Sequence, residues 1–227
     1  MRGRNRDRRG GLSDGPDPLA KPGALRRAGQ SLVEFALIVP VFLLLLLAML
    51  DFGFAFYTNL TLEYASREGA RVGAALAAGN GTVLPCGQVD DHVVAAVQRV
   101  LESAGIPVQI DPSDASKGGV NWIHIYKADA NGNGWTSNYN EWTYNAGGGP
   151  NVDGAALDFK GPTSPAWSAC GRQNGATPDS IGVAINYTYA WRTPIGSVFR
   201  LVGSHGPFFS NLVMLDRTSM NLNPTYP

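Results

Sequence analysis

Apolar residues follow three rhythms along this chain. From Leu32 to Leu50 they run almost without a break, Glu34 being the only charge. A helix over that stretch rises about 28 Å, close to the hydrocarbon thickness of a bilayer, so the run predicts a membrane-spanning segment. Nothing from Asp51 to Ala78 strongly breaks a helix, and the pairs Glu63/Arg67 and Glu68/Arg71 sit at helix-stabilising spacings. One helix over 30–78 is therefore expected, roughly 70 Å long at about 1.5 Å per residue. Pro40 removes one backbone bond within it and predicts a kink. Asp51 falls at the outer edge of the span and needs no special role.

The second rhythm begins after the Gly79-Asn80-Gly81 break. Val89, Val93, Val94, Val97, Val100 and Leu101 recur at helical spacing and stop at Gly105 and Pro107, which predicts a second, amphipathic helix. The third rhythm alternates. Asn121–Lys127 and Ile181–Trp191 read as strands, the latter with Ile181, Val183, Ile185, Tyr187, Tyr189 and Trp191 on one face. Val108–Ile110 predicts a short strand, Asn211–Met220 a last one, and Val198–Val202 a helical turn or bend. The sum is α+β: a long and a shorter helix on one face of a small antiparallel sheet, with the head at 79–227. Residues 128–179 are rich in Gly, Asn and Pro without regular period and predict a long loop, a feature that is often functional or mobile.

Charge adds orientation. Residues 1–29 hold eight basic side chains against three acids (Asp7, Asp14, Asp17), whereas the whole chain has 18 of each sign, leaving 10 basic and 15 acidic beyond residue 29. Cations near a span resist transfer, so the amino terminus is expected in the cytoplasm and the head outside. The Gly, Pro and Asp in this leader, and its place beside the span, read as a disordered topology signal rather than a nucleic-acid arm. Cys86 and Cys170 both fall in the exported part, where oxidation is available. Paired, they close a long loop worth roughly 4–5 kcal/mol on the chain-entropy model; the alternative is two separate buried thiols. Two cysteines alone do not make a zinc site.

The mouth of the span carries the sharpest chemistry. Gly29 is followed by Gln30, Ser31, Leu32, Val33 and Glu34, which puts a carboxylate five residues after a glycine where the apolar run begins. Ser31 and Glu34 also fit a capping box, which accounts for those two residues but not for Gly29. Together with the run to Phe56 and the following LEYASREGARVGAA, this mouth resembles the TadE-like family, membrane-anchored pseudopilins of the Tad (Flp) pilus and related secretion systems. The resemblance covers residues 27–78. It implies a pilin-like plan, cleavage between Gly29 and Gln30 by a prepilin peptidase, and Glu34 as the acid that registers subunits. Partners implied are the membrane, pilus or secretion platform proteins and other pilin-like subunits, with no enzymatic activity and no cofactor. Phe35 stands where the Tad-type subset often has tyrosine, keeping the ring and losing the hydroxyl.

Other features leave open readings. Ala65, Gly69, Gly73 and Ala77 line up at every fourth position, which suits close approach of another helix or packing on this chain's own head. Asp129, Asn131, Asn133 and Gly134 open like a calcium loop, but its twelfth position is Asn140, so a Gly/Asn turn explains them more simply. Trp135, Tyr139, Trp142 and Tyr144 crowd the long loop and suit either a ligand platform or a packed satellite cluster. His92, His124 and His205 lack metal spacing, and no phosphate loop, G-x-S-x-G or H-E-x-x-H occurs, so no metal site, nucleic-acid partner or enzyme is expected. The reading is a non-catalytic pseudopilin-like assembly component. Its rival is a signal-anchored surface module binding glycan or a protein ligand.

Overall fold

The computed structural model describes residues 22–77, 84–109, 118–193 and 211–222. The chain divides into two compact units, Met1–Leu45 and Leu46–Pro227. Helix α1 runs from Pro22 to Leu76. It begins before Gln30, so residues 22–29 are helical where an irregular leader was expected. Proline suits a first turn, because its missing N–H is one that a helix start leaves without an intrahelical partner. The early start also removes the capping-box reading, since Ser31 and Glu34 lie well inside the helix.

In the second unit, α1 from Leu46 onward and helix α2 (Val89–Ser103) cover one face of an antiparallel sheet. Its strands are β1 (Gly119–Ala128), β2 (Tyr139–Tyr144), β5 (Phe159–Lys160), β6 (Ser180–Tyr189) and β7 (Leu212–Asn221), in the order β5-β2-β1-β6-β7. A small hairpin, β3 (Asn151–Val152) and β4 (Ala155–Ala156), turns through Asp153 and Gly154, both at positive φ. This is the α+β arrangement that the three rhythms describe.

The register explains the core. β1 pairs with β6 through Ile123↔Ile185 and Ile125↔Val183, and with β2 through Ile123↔Trp142, so period-two alternation sends these side chains to the helical face. There Val93, Val97 and Leu101 of α2 and Leu62 and Ala65 of α1 complete a cluster of fully buried residues. Helical spacing on one element meets strand spacing on the next.

The segment expected as a loop at 128–179 is mostly irregular but carries short strands and a 3-10 turn. β2 lies in its middle, bonded to β1, and β5 extends the sheet from β2. The alternation of β2 is hidden because Asn140 points inward. It is buried, donating through Nδ2 to Asp90 Oδ2 (3.0 Å) and the Trp167 carbonyl (2.8 Å), while its Oδ1 accepts the Trp167 N–H at 3.0 Å. Arg172, also buried, donates to Asp90 Oδ1 and lies 4.3 Å over the Trp167 ring. Beside this network the Cys86–Cys170 disulfide joins two short 3-10 turns across a sequence separation of 84, with Cα atoms 4.9 Å apart. The two thiols are thus not separate.

Smaller differences have local causes. Val108 is in no strand; its carbonyl accepts the Val120 N–H at 3.2 Å and its side chain packs against the core. Trp191 lies just past the end of β6. Ile110, the Gly79–Gly81 break, Val198–Val202 and His205 lie outside the described residues.

Candidate assembly interface

The apolar face of α1 is the most exposed hydrophobic surface of the described chain. Leu32 is 70%, Phe35 68%, Ile38 65% and Met49 78% exposed, which no helix of a water-soluble core tolerates over such a length. Gln30–Leu76 is the one helix among the described residues long and apolar enough to cross a membrane. At its mouth, Gln30 Nε2 donates to Glu34 Oε1 at 3.1 Å, so these two residues share one face a single turn apart. Gly29 precedes them within the same helix.

Farther along α1 the exposure reverses. Ala65, Gly69, Gly73 and Ala77 are buried. A Cβ on Gly69 would lie 2.7 Å from Val97 Cγ2, and one on Gly73 would lie 2.5 Å from Ile181 Cδ1 and 3.1 Å from Val93 Cγ2. The small-residue line is therefore filled by this chain's own α2 and β6. Beside it, Ser66 bonds Asp216 Oδ2 and Thr218 Oγ1 (2.9 Å), tying α1 to β7.

Between the exposed and buried stretches sits Asp51, and here the sequence reading needs correction. Asp51 is fully buried. Its Oδ1 accepts the backbone N–H groups of Arg192 and Thr193, each at 3.2 Å, and its Oδ2 accepts the Thr193 hydroxyl, while its carbonyl accepts from Tyr189 Oη at 3.3 Å. The end of β6 is thus pinned to α1 at the residue where the apolar run ends. Six residues on, Tyr57 Oη donates to the Ala104 carbonyl at 3.2 Å, fixing the end of α2 against the same helix. Between these two attachments lies an apolar groove of about 550 Å³, lined by Leu46, Leu50, Gly53, Phe54, Ala104 and Arg192 among others. The signal for Asp51 was its abrupt position, a carboxylate closing an apolar run. Arg192, whose guanidinium sits 4.9 Å over Phe54, had no signal, because its role depends on where β6 ends.

The aromatics do not form one platform. Trp135 and Tyr139 lie on the outer sheet face, in a row of stacked rings from Trp135 to Trp122 (6.1 Å), His124 (3.7 Å) and Tyr139 (3.8 Å). His124 is held by the Trp135 carbonyl at Nδ1 (2.8 Å) and Glu141 at Nε2 (3.0 Å). Trp142 and Tyr144 point the other way. Trp142 is a core residue closed over by Gly161, and Tyr144 meets Phe159 edge-on at 6.0 Å. Two residues apart on one strand, Trp142 and Tyr144 share the inner face, and the turn at 129–138 folds Trp135 back over the outer one.

That turn is built by Asp129, whose carboxylate accepts the N–H groups of Asn131 and Asn133, both at 2.8 Å. The same bonds hold its pKa below the ordinary value. Asp129 thus closes an Asx-type turn. No cluster of three or more metal-ligating side chains occurs among the described residues.

The described geometry defines a class: an α+β domain whose first helix has the length and composition of a single-pass membrane anchor. Residues 29–71, within the first helix, match the model of the TadE-like protein family. The match opens at Gly29 and closes at Arg71, within α1. No curated protein and no solved structure matches the chain at a significant level.

Proposed function

We propose that this chain is a non-catalytic, pseudopilin-type assembly component of a Tad-type pilus or a related secretion machine. The observation that carries the reading is the coincidence of two boundaries. The TadE-like match begins at Gly29, and the apolar run of α1 begins three residues later at Leu32, itself exposed. In this reading a prepilin peptidase cuts between Gly29 and Gln30, with the basic leader in the cytoplasm and the head outside. The new amine on Gln30 then lies one turn from Glu34, and in an assembly it reaches the Glu34 of a neighbour. An ionised carboxylate entering lipid costs a few kcal/mol unless a cation lies near it, so such pairing fixes the register between subunits. Platform proteins and other pilin-like subunits are the partners, engaged through the apolar face rather than through a reactive group.

The test is the amino-terminal sequence and intact mass of the protein extracted from its native membrane, alongside Gly29→Leu. A mature chain starting at Gln30, with the variant left uncut, supports the reading. A native chain that keeps its leader rejects processing and returns the protein to a permanent surface anchor.

A further inference from the structure

We infer that the groove between α1 and the end of α2 binds an anionic phospholipid, with an acyl chain along its floor and the lipid phosphate on Arg192. The inference rests on α1 as a membrane anchor and not on processing or assembly. Leu46, Met49 and Leu50 belong to the last turns of the apolar run, and Gly53, Phe54 and Tyr57 follow directly. The groove therefore crosses from the hydrocarbon into the headgroup layer, the level at which aromatic and basic side chains anchor proteins. Its volume of about 550 Å³ suits a small amphiphile.

Charge selects the occupant. Among the described residues, Arg192 is the one ionisable group lining the groove apart from the Tyr57 phenol. Its guanidinium lies over the face of Phe54, and the residue is exposed. The nearby Asp51 carboxylate is turned to the backbone of residues 192 and 193 and to the Thr193 hydroxyl. Arg192 is thus held in place by its own N–H while its side chain keeps its donors for an anion, and a guanidinium matches phosphate geometry well. A second apolar helix would fill the groove but offer nothing to that cation.

The experiment uses the full chain reconstituted in nanodiscs of phosphatidylcholine with a minority of phosphatidylglycerol, then released into mild detergent for native mass spectrometry. Wild type is expected to retain phosphatidylglycerol over phosphatidylcholine by about tenfold after correction for composition, the factor that corresponds to 1.4 kcal/mol. Arg192→Gln keeps the backbone N–H and brings the ratio to parity, while Arg192→Lys keeps a preference. Gly53→Leu, at a position where a Cβ meets nothing within 4 Å, lowers retention of both lipids. Parity in wild type, or an unchanged ratio in Arg192→Gln, would overturn the inference. So would cross-linking of two Gly53→Cys copies in the membrane with no lipid retained, which would give the groove to a second copy. Failure to enter nanodiscs at all would remove the anchor reading, a result distinct from loss of lipid preference.

Discussion

Replacing Asp51 with alanine removes the acceptor of three donors at once: the backbone N–H groups of Arg192 and Thr193 and the Thr193 hydroxyl. Bonds to charged acceptors contribute about 1.5–3 kcal/mol each, and a buried donor deprived of its partner costs about 1–3 kcal/mol. The two backbone bonds are at the long end of the normal range, so the lower halves of these figures apply. The expected loss for Asp51→Ala is therefore about 3–5 kcal/mol, a large share of the roughly 5–15 kcal/mol that holds a domain together. For a head of this size, at roughly 2–4 °C per kcal/mol, the midpoint falls by about 10 °C. Asp51→Asn separates geometry from charge. Its amide oxygen still accepts both N–H groups and its NH2 can donate to the Thr193 oxygen, so the loss is about 1–1.5 kcal/mol, the difference between neutral and charged acceptors. The assay is thermal unfolding of the full chain in detergent, followed by circular dichroism, with hydrogen exchange read on residues 189–193. Asp51→Ala within 2 °C of wild type, or Asp51→Asn as damaging as alanine, would refute the reasoning.

Three further outcomes follow from the packing. Gly69→Leu should destabilise the purified protein by about 2–4 kcal/mol with no partner present, because its side chain runs into Val97 and Val183; unchanged stability would return the small-residue line to an intersubunit role. Cys86→Ser with Cys170→Ser should lower stability by about 4 kcal/mol through the loop it opens, seen as an earlier transition in a denaturant titration. Asp91 gives a pH dependence: burial first, and neighbouring Asp90 second, push its carboxyl up to about 6. The fold then favours the protonated acid, so the contribution is full below the unfolded value near 3.8 and is lost as pH rises through about 6. Asp91→Asn should therefore stabilise by about 1 kcal/mol at pH near 7.5, discounted for its half-exposed setting, and give no gain near pH 4; a gain independent of pH would sink the assignment.

The long-period features were legible in the sequence because they repeat. The apolar run, the valine-rich stripe of α2 and the alternation of β6 each bury the same kind of surface several times over, so each period can be read without knowing its neighbours. β2 and β5 were not legible. β2 carries Asn140 at an inward position that only Asp90 and Trp167, from distant parts of the chain, make tolerable, and β5 is two residues long. Trp142 and Tyr144 looked like neighbours of Trp135 for the same reason: without the strand, nothing assigns them to opposite faces. The roles of Asp51 and Arg192 were hidden differently, being fixed by contacts about 140 residues apart in the chain.

The pin at Asp51 also sets how the molecule carries mechanical load. From Leu46 onward, the end of the apolar run and the buried stripe belong to the same helix α1. A pull along that helix arrives at the sheet as shear. Asp51 resists it against the end of β6, Ser66 against β7, and Gly69 and Gly73 through side chains of α2 and β6 seated over them. These attachments are spread along the part of α1 that follows Leu46 and strain together instead of opening one after another, so the sheet and α2 grip this stretch of helix as a clamp.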